Sequence, residues 1–277
     1  MNPYFSGTVL LVAALCLSVL SMLAALVWLR NGSERWAAVA RRTLPGNGLL
    51  LTLASAMLVT AFLTDRFDLE YVAYNSQRHM PLFYKFSAFW GSLDGSMLLW
   101  AWLVGVFGAL VWKRHSQSDP DLLPVVAGVF GMVLTFFVGV ILATTNPFDP
   151  LVDEMGRAFT PRDGLGLNPL LQNPSMVLHP PSLYLGFTGF TVPFAFALAA
   201  MLTGKLDDRW IRTTRRWTII AWAFLTLGNI LGANWAYVEL GWGGYWGWDP
   251  VENSALMPWF TGTAFLHSVM MQERRNM

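Results

Sequence analysis

The chain has 277 residues, of which 55% are hydrophobic and only 13% are charged, and its formal net charge is +1. A soluble domain of this size carries about 25% charged residues, so the composition excludes an ordinary water-soluble fold, and the near-zero net charge leaves no electrostatic footprint for a nucleic acid. The single cysteine, Cys16, excludes an internal disulfide and a paired-thiol redox site.

In chain order, apolar runs lie at about 7–29, 44–63, 96–112, 122–145, 183–203, 217–234 and 255–271. A spanning helix needs ~20 mostly apolar residues, and the third and seventh runs depend on their flanks to reach that length. Backbone groups cannot stay unpaired in lipid, so all seven are expected to be helices. The expected fold is all-α: one polytopic membrane domain over residues 1–277. Residues 1–6 carry no lysine or arginine and no small-x-small cleavage site follows the first run, so it reads as a retained helix. Pro193 is expected to kink the fifth helix. Gly228 and Gly232 give the sixth a small-residue face for close packing.

The segments after helices 1, 3, 5 and 7 hold 13 of the 18 lysines and arginines, while 11 of the 17 acids lie on the other side. Positive charge stays on the cytoplasmic side of a membrane. The expectation is therefore N-terminus outside, C-terminus inside, with three outward segments at 64–95, 146–182 and 235–254.

The third outward segment contains "GWGGYWGWDP", residues 241–250, with Trp242, Tyr245, Trp246 and Trp248 among four glycines. Aromatic rings collect at membrane interfaces, and a belt of that kind accounts for scattered rings such as Trp90, Trp100 and Trp259. A dense cluster on a glycine-loosened backbone also suits a flat ligand, whether a porphyrin, a quinone or a stacked sugar, held by ring faces and indole N–H groups. Asp249, Pro250 and Glu252 have the spacing of a helix start: an N-cap, a first-turn proline and a capping box. Asp249 therefore reads as a cap rather than an acid–base catalyst.

The four histidines differ in setting. His115, in "WKRHSQSD", is expected to be solvated on the basic side, and His79, in "NSQRHMP", to be an outward polar residue. His179 precedes Pro180 and Pro181, which are expected to stop a helix and hold the imidazole at the outer surface. It is either a polar helix-end group or an iron ligand. His267 falls inside the seventh run, nine residues past Pro258 and so ~14 Å deeper. An ionisable residue at that depth is a functional candidate. A surface histidine and a deep one point to two sites rather than one shared iron.

"ANWAYVELGWGGYWGWDPVENSALMPW" resembles the WWD signature of membrane proteins that handle haem for cytochrome c. Its flanks, together with "GLGLNPLLQNPSMVLHPPSLYLGF" and "PLFYKFSAFWGSLDGSMLLWAW", resemble the CcmF/NrfE branch, the haem lyase component. The resemblance covers the chain from about residue 70 onward. It implies an outer haem site lined by Trp242, Tyr245, Trp246, Trp248 and Asp249, with His179 as an axial ligand of the outer haem iron. It implies His267 as a ligand of an intramembrane haem b. The implied activity is thioether attachment of haem to the CxxCH thiols of apocytochrome c, at the periplasmic face of a bacterial-type inner membrane. The implied partners are apocytochrome c, a haem-delivery protein, other cytochrome c maturation subunits, membrane lipid and quinol. Members of that branch are usually about twice this length, so the chain is expected to be an N-terminal portion, with the second ligand of each iron supplied by a C-terminal half or partner. Tyr245 stands where tryptophan is usual, and Leu93–Asp94 replaces a more usual His-Glu.

Two other function classes fit the sequence. A non-catalytic haem carrier or assembly subunit would need the same rings and histidines, and a quinone-binding subunit would need the same flat pocket. A membrane glycosyltransferase would need a carboxylate-bound divalent metal and a larger soluble domain, neither of which the sequence suggests.

Overall fold

A computed structural model describes residues 3–241 and 243–275. The regular elements of the described residues are helices: α1 Pro3–Asn31, α2 Glu34–Leu63, α3 Glu70–Asn75, α4 Leu82–Ser87, α5 Leu93–His115, α6 Leu123–Thr144, α7 Pro174–Gly189, α8 Thr191–Thr203, α9 Arg209–Glu239 and α10 Pro250–Arg275. Extended structure among the described residues is limited to two isolated bridges, Leu69 with Pro150 and Val152 with Ala158.

Among the described residues, six segments are long and apolar enough to cross a membrane: α1, α2, α5, α6, the α7–α8 pair and α9. α10 forms over the seventh expected run and has 26 residues, but it falls outside that apolar set. Its polar positions, among them Glu252, Asn253, Thr261, Thr263, His267 and Ser268, dilute the run. Six of the seven expected spans are thus long and apolar enough to cross a membrane among the described residues, and the seventh run forms a helix that is not.

Several boundaries differ from the apolar runs for local reasons. α2 begins ten residues before the apolar stretch and passes through Pro45; its basic first turns are helical because Arg41 reaches Glu34, at 3.3 Å, and the Pro120 carbonyl, at 3.1 Å. α7 begins at Pro174, where the Asn173 side chain accepts from Ser175 N, so Pro180 and Pro181 lie inside a helix instead of ending one. The break expected at Pro193 falls at Phe190, between α7 and α8, because the proline sits in the first turn of α8, where its missing N–H costs nothing.

α1, α2, α5 and α6 form one packed group, with Leu51, Leu58, Leu98, Val126 and Phe130 in its interior. α7 and α9 form the most closely packed pair and carry the site described below. A Cβ on Gly186 would lie 2.6 Å from the Leu225 backbone; one on Gly228 would lie 2.6 Å from Leu183 Cα; one on Gly189 would meet Ala221 Cβ at 2.8 Å. These contacts run antiparallel, so the two helices touch backbone to backbone along several turns. The small face read from Gly228 and Gly232 is borne out, and α7 answers it with glycines of its own.

The 64–95 and 146–182 segments are hydrogen-bonded to each other. Glu70 N donates to Asp149 O, Leu151 N to Asp68 O, Leu165 N to Ala73 O and Gly166 N to Ser76 O. Phe67, Leu69, Phe148 and Leu167 are buried there. The two loops thus make one folded cap at one end of the bundle. The scattered tryptophans assigned to a belt are packing residues. Trp90 is only 8% exposed, Trp100 stacks on Phe187 at 5.5 Å, and Trp259 stacks on Trp222 while donating to Thr226 Oγ1 at 2.7 Å.

Gly228→Ala should force α7 and α9 apart and cost about 1–3 kcal/mol of stability, the usual penalty for overpacking. Gly139→Ala, where a Cβ meets nothing within 4 Å, should be neutral or stabilising by up to about 1 kcal/mol. Thermal unfolding of the two variants in detergent, compared with the unmodified chain, measures the difference.

Candidate functional site

His179 lies in the second turn of α7, on the face turned to α9. Its Nδ1 is 2.8 Å from the Gly228 carbonyl. A carbonyl can only accept, so Nδ1 carries the proton and Nε2 keeps its lone pair. Gly232 makes room for the ring: a Cβ there would lie 2.5 Å from His179 Cε1 and 2.8 Å from Nδ1. The start of α7 is held to the end of α9 by three further bonds. Asn173 Nδ2 donates to Glu239 Oε1 at 2.6 Å, Ser175 Oγ to Asn234 Oδ1 at 2.8 Å, and Trp235 Nε1 to the Leu170 carbonyl at 3.0 Å. The imidazole is thus positioned by the same close approach that packs the two helices.

After α9 the chain turns through residues 240–249 and re-enters a helix at Pro250. The capping box is present in full: Glu252 N donates to Asp249 Oδ1 at 2.6 Å, and Asp249 N donates to Glu252 Oε2 at 3.3 Å. Gly247 N is a second donor to Glu252 Oε2, at 2.9 Å. Trp248, immediately before the cap, has φ +59°, and Asn253 Nδ2 holds its carbonyl at 3.2 Å.

The rings of this turn do not share one fate. Trp246 is partly buried and meets Trp248 edge-on at 5.7 Å. Trp248 itself is 71% exposed. Tyr245 is exposed and stacks on Tyr237 of α9 at 4.4 Å and 12°. Trp242 lies outside the described residues.

A cavity of about 380 Å³ separates α7, α9 and the start of α10. His179, Trp246, Asp249 and Glu252 line it, as do Trp90, Ser96 and Tyr184 from the other side. That size is within the range of small-molecule sites. The structure therefore brings together His179, Trp246 and Asp249 of the residues singled out in the sequence, and leaves Tyr245 and Trp248 outside the cavity wall. The indole nitrogens of Trp90 and Trp246 are both buried with no hydrogen-bond partner. A buried donor is normally satisfied, so two unsatisfied donors lining one cavity point to a ligand with acceptor groups. Trp90 was quoted in the sequence within "SAFWGSLDGS" but not assigned to a site; only the fold, which sets residues 88–90 against α5 and α7, brings it there.

The other histidines are elsewhere. His267 is exposed on α10, away from the buried stripe of Ala255, Gly262 and Val269. α10 is continuous through Pro258, so His267 is 17 residues from the helix start, ~26 Å along the axis. His79 is exposed, as expected. His115 is not solvated: it is 6% exposed, with Asp119 Oδ2 3.1 Å from Nδ1 and Trp217 Nε1 donating to Nε2 at 3.0 Å. Its neighbours Lys113 and Arg114 are charged and exposed, so the stretch reads as solvent-facing, but the last turn of α5 directs His115 inward against Phe196 and Trp217.

The family described as "Cytochrome C assembly protein" matches residues 90–277. The "Cytochrome c-type biogenesis protein CcmF" of Pseudomonas aeruginosa is 46% identical over 271 residues, 97% of this chain and 40% of that protein. The "Cytochrome c-type biogenesis protein NrfE" of Haemophilus influenzae is 41% identical over 82% of this chain and 35% of that protein. The solved structure of "Cytochrome c Heme Lyase CcmF" superposes with a TM-score of 0.84 at 35% identity, covering 100% of this chain and 43% of that one. The chain thus spans about two-fifths of the length of these relatives, and across that span it belongs to the cytochrome c assembly protein family.

Proposed function

We propose that the cavity between α7, α9 and the start of α10 is one wall of a haem site used in cytochrome c biogenesis. The observation that carries this reading is the His179 imidazole, with Nδ1 committed to the Gly228 carbonyl and Nε2 free beside two unpartnered indole donors. An axial histidine whose second nitrogen donates to a backbone carbonyl is fixed in tautomer and orientation, and is made a stronger ligand. The Trp90 and Trp246 N–H groups suit the carboxylate edge of a porphyrin, and the Trp246 ring supplies an apolar face.

In this reading haem is the substrate. Bound haem presents vinyl groups, and thioether formation adds the S–H of each CxxCH cysteine of apocytochrome c across one of them. The chain's own contribution is to hold, orient and desolvate. His179 anchors the iron, the indoles hold the polar edge, and the capping box fixes the turn that carries Trp246. Tyr245 and Trp248, which are exposed, face outward to meet the opposite wall, supplied by the rest of a longer chain or a partner; Trp242 lies outside the described residues. His267, on an uncovered face of α10, would hold a second, intramembrane haem b, which would supply one-electron chemistry fed by quinol. The excess of lysine and arginine at the opposite helix ends supports a reading in which the haem cavity faces the periplasmic side of an inner membrane, within reach of a haem-delivery protein and other maturation subunits. The family membership and the name of the solved relative support the class of chemistry.

A carrier role without bond formation is the alternative that the geometry favours next, because holding haem needs only the His179 and indole groups already at the cavity. Thioether formation on a CxxCH peptide, with the intact protein as catalyst, separates the two.

His179→Ala in the full-length protein should remove the absorbance of the outer haem while leaving that of the intramembrane haem, and His267→Ala should do the reverse. An unchanged Soret band in both variants refutes the ligand assignments. Asp249 separates cap from contact. Asp249→Asn should keep both stability and haem, because asparagine also caps. Asp249→Ala should lose about 1 kcal/mol of stability. Loss of haem in Asp249→Asn, with the unfolding midpoint unchanged, would show that the carboxylate touches the ligand.

A further inference from the structure

At the end of the bundle opposite the loop cap, a cleft of about 1010 Å³ opens between the C-terminal end of α5 and the N-terminal end of α9. We infer that this cleft binds the phosphate headgroup of an anionic phospholipid, with the acyl chains running down the lipid-facing side of α5 and α9.

Five cations line it: Lys113, Arg114, Arg209, Arg212 and Arg216. The lining carboxylate, Asp119, is already committed, to His115 at 3.1 Å and to Arg209 at 3.0 Å. Arg212 pairs with Asp208 at 2.7 Å. Among the described residues no carboxylate pairs with Lys113, Arg114 or Arg216.

The placement of the arginines adds a second argument. α9 carries Arg209, Arg212, Arg215 and Arg216 in its first eight residues. That is the positive end of the helix dipole, where cations are disfavoured and anions favoured. Arg212 and Arg216 are also four apart, a spacing at which like charges repel along a helix. An anion in the cleft relieves both. The lysine and arginine at the end of α5 suit their own helix end, so they add positive potential without strain.

The shape of the cleft selects a lipid over a small soluble anion. Its floor is Trp217, held by its bond to His115. Its membrane-side edge is Leu110 and Ile220, which are 45% and 44% exposed, with Trp112 beside them at 37%. Phosphate-sized positive charge above an apolar track matches an amphiphile. Basic pockets between spanning helices are a recurrent form of anionic-headgroup recognition.

The inference is independent of the haem reading, since no residue of the cleft lines the haem cavity. The test uses the full-length protein, delipidated in detergent and exchanged into phosphatidylcholine vesicles with or without phosphatidylglycerol, then recovered and examined by native mass spectrometry. The wild type should retain phosphatidylglycerol. Arg216→Gln should lower its affinity about fivefold, and Lys113→Gln/Arg114→Gln/Arg216→Gln by about that factor again per charge. Arg216→Lys should retain it, with the haem spectrum unchanged in all variants. Equal retention by wild type and triple variant overturns the inference, as does displacement of the lipid by inorganic phosphate alone. Protection of Lys113 from amine labelling in the lipid-free protein also overturns it, because the rest of the longer chain would then cover the cleft.

Discussion

The site depends on one contact, the close approach of α7 and α9. Glycines at 186 and 189 on one helix and at 228 and 232 on the other remove the side chains that would hold the backbones apart. In lipid there is no hydrophobic force to drive helices together, and small residues that permit dense packing take its place. Here that packing does a second task. It puts the Gly228 carbonyl within 2.8 Å of an imidazole and leaves a recess at Gly232 for the ring. A larger residue at either glycine would remove the recess and the bond together, so stability and site geometry rest on the same four positions.

The turn after α9 follows from the helices on either side of it. Among the described residues of 240–249, two glycines have positive φ, Gly241 and Gly243, as does one non-glycine, Trp248. Such a segment has little structure of its own to impose. Its order comes from its ends: Tyr245 stacked back on α9, and the Asp249–Glu252 box at the start of α10. Glu252 serves two donors in that box, so a single carboxylate fixes the backbone on both sides of Trp248. Trp246 reaches the cavity because the backbone around it is pinned, while its neighbours remain free to meet another surface.

Much of this was legible in the residues. The apolar runs located the long helices, the spacing of Asp249 and Glu252 specified the cap, and Gly228 and Gly232 marked the packing face. What the sequence could not carry was the direction of individual side chains. His115 sits among charged neighbours, and only the turn of α5 sends it inward. Pro180 and Pro181 suggest a helix end, but Asn173 caps the helix about two turns earlier, and the prolines are absorbed within it. Trp90 lies roughly 90 residues from His179 in the chain, and no local pattern connects them. The rings of the aromatic segment looked equivalent, whereas burial separates Trp246 from Tyr245 and Trp248.

α9 links the two ends of the molecule and shows a common design at both. At one end its carbonyl at Gly228 orients an imidazole toward a cavity with unpartnered donors; at the other its first turns gather cations beside a cleft whose carboxylate is already paired. In each case local groups are satisfied within the chain up to a point, and the remaining ones face an opening. The excess donors at the first opening call for acceptors, and the excess cations at the second call for an anion. Unsatisfied buried donors and uncompensated charge both cost free energy, so the two openings are the places where this fold gains most from a ligand. A helix that packed purely for stability would have paired or removed those groups.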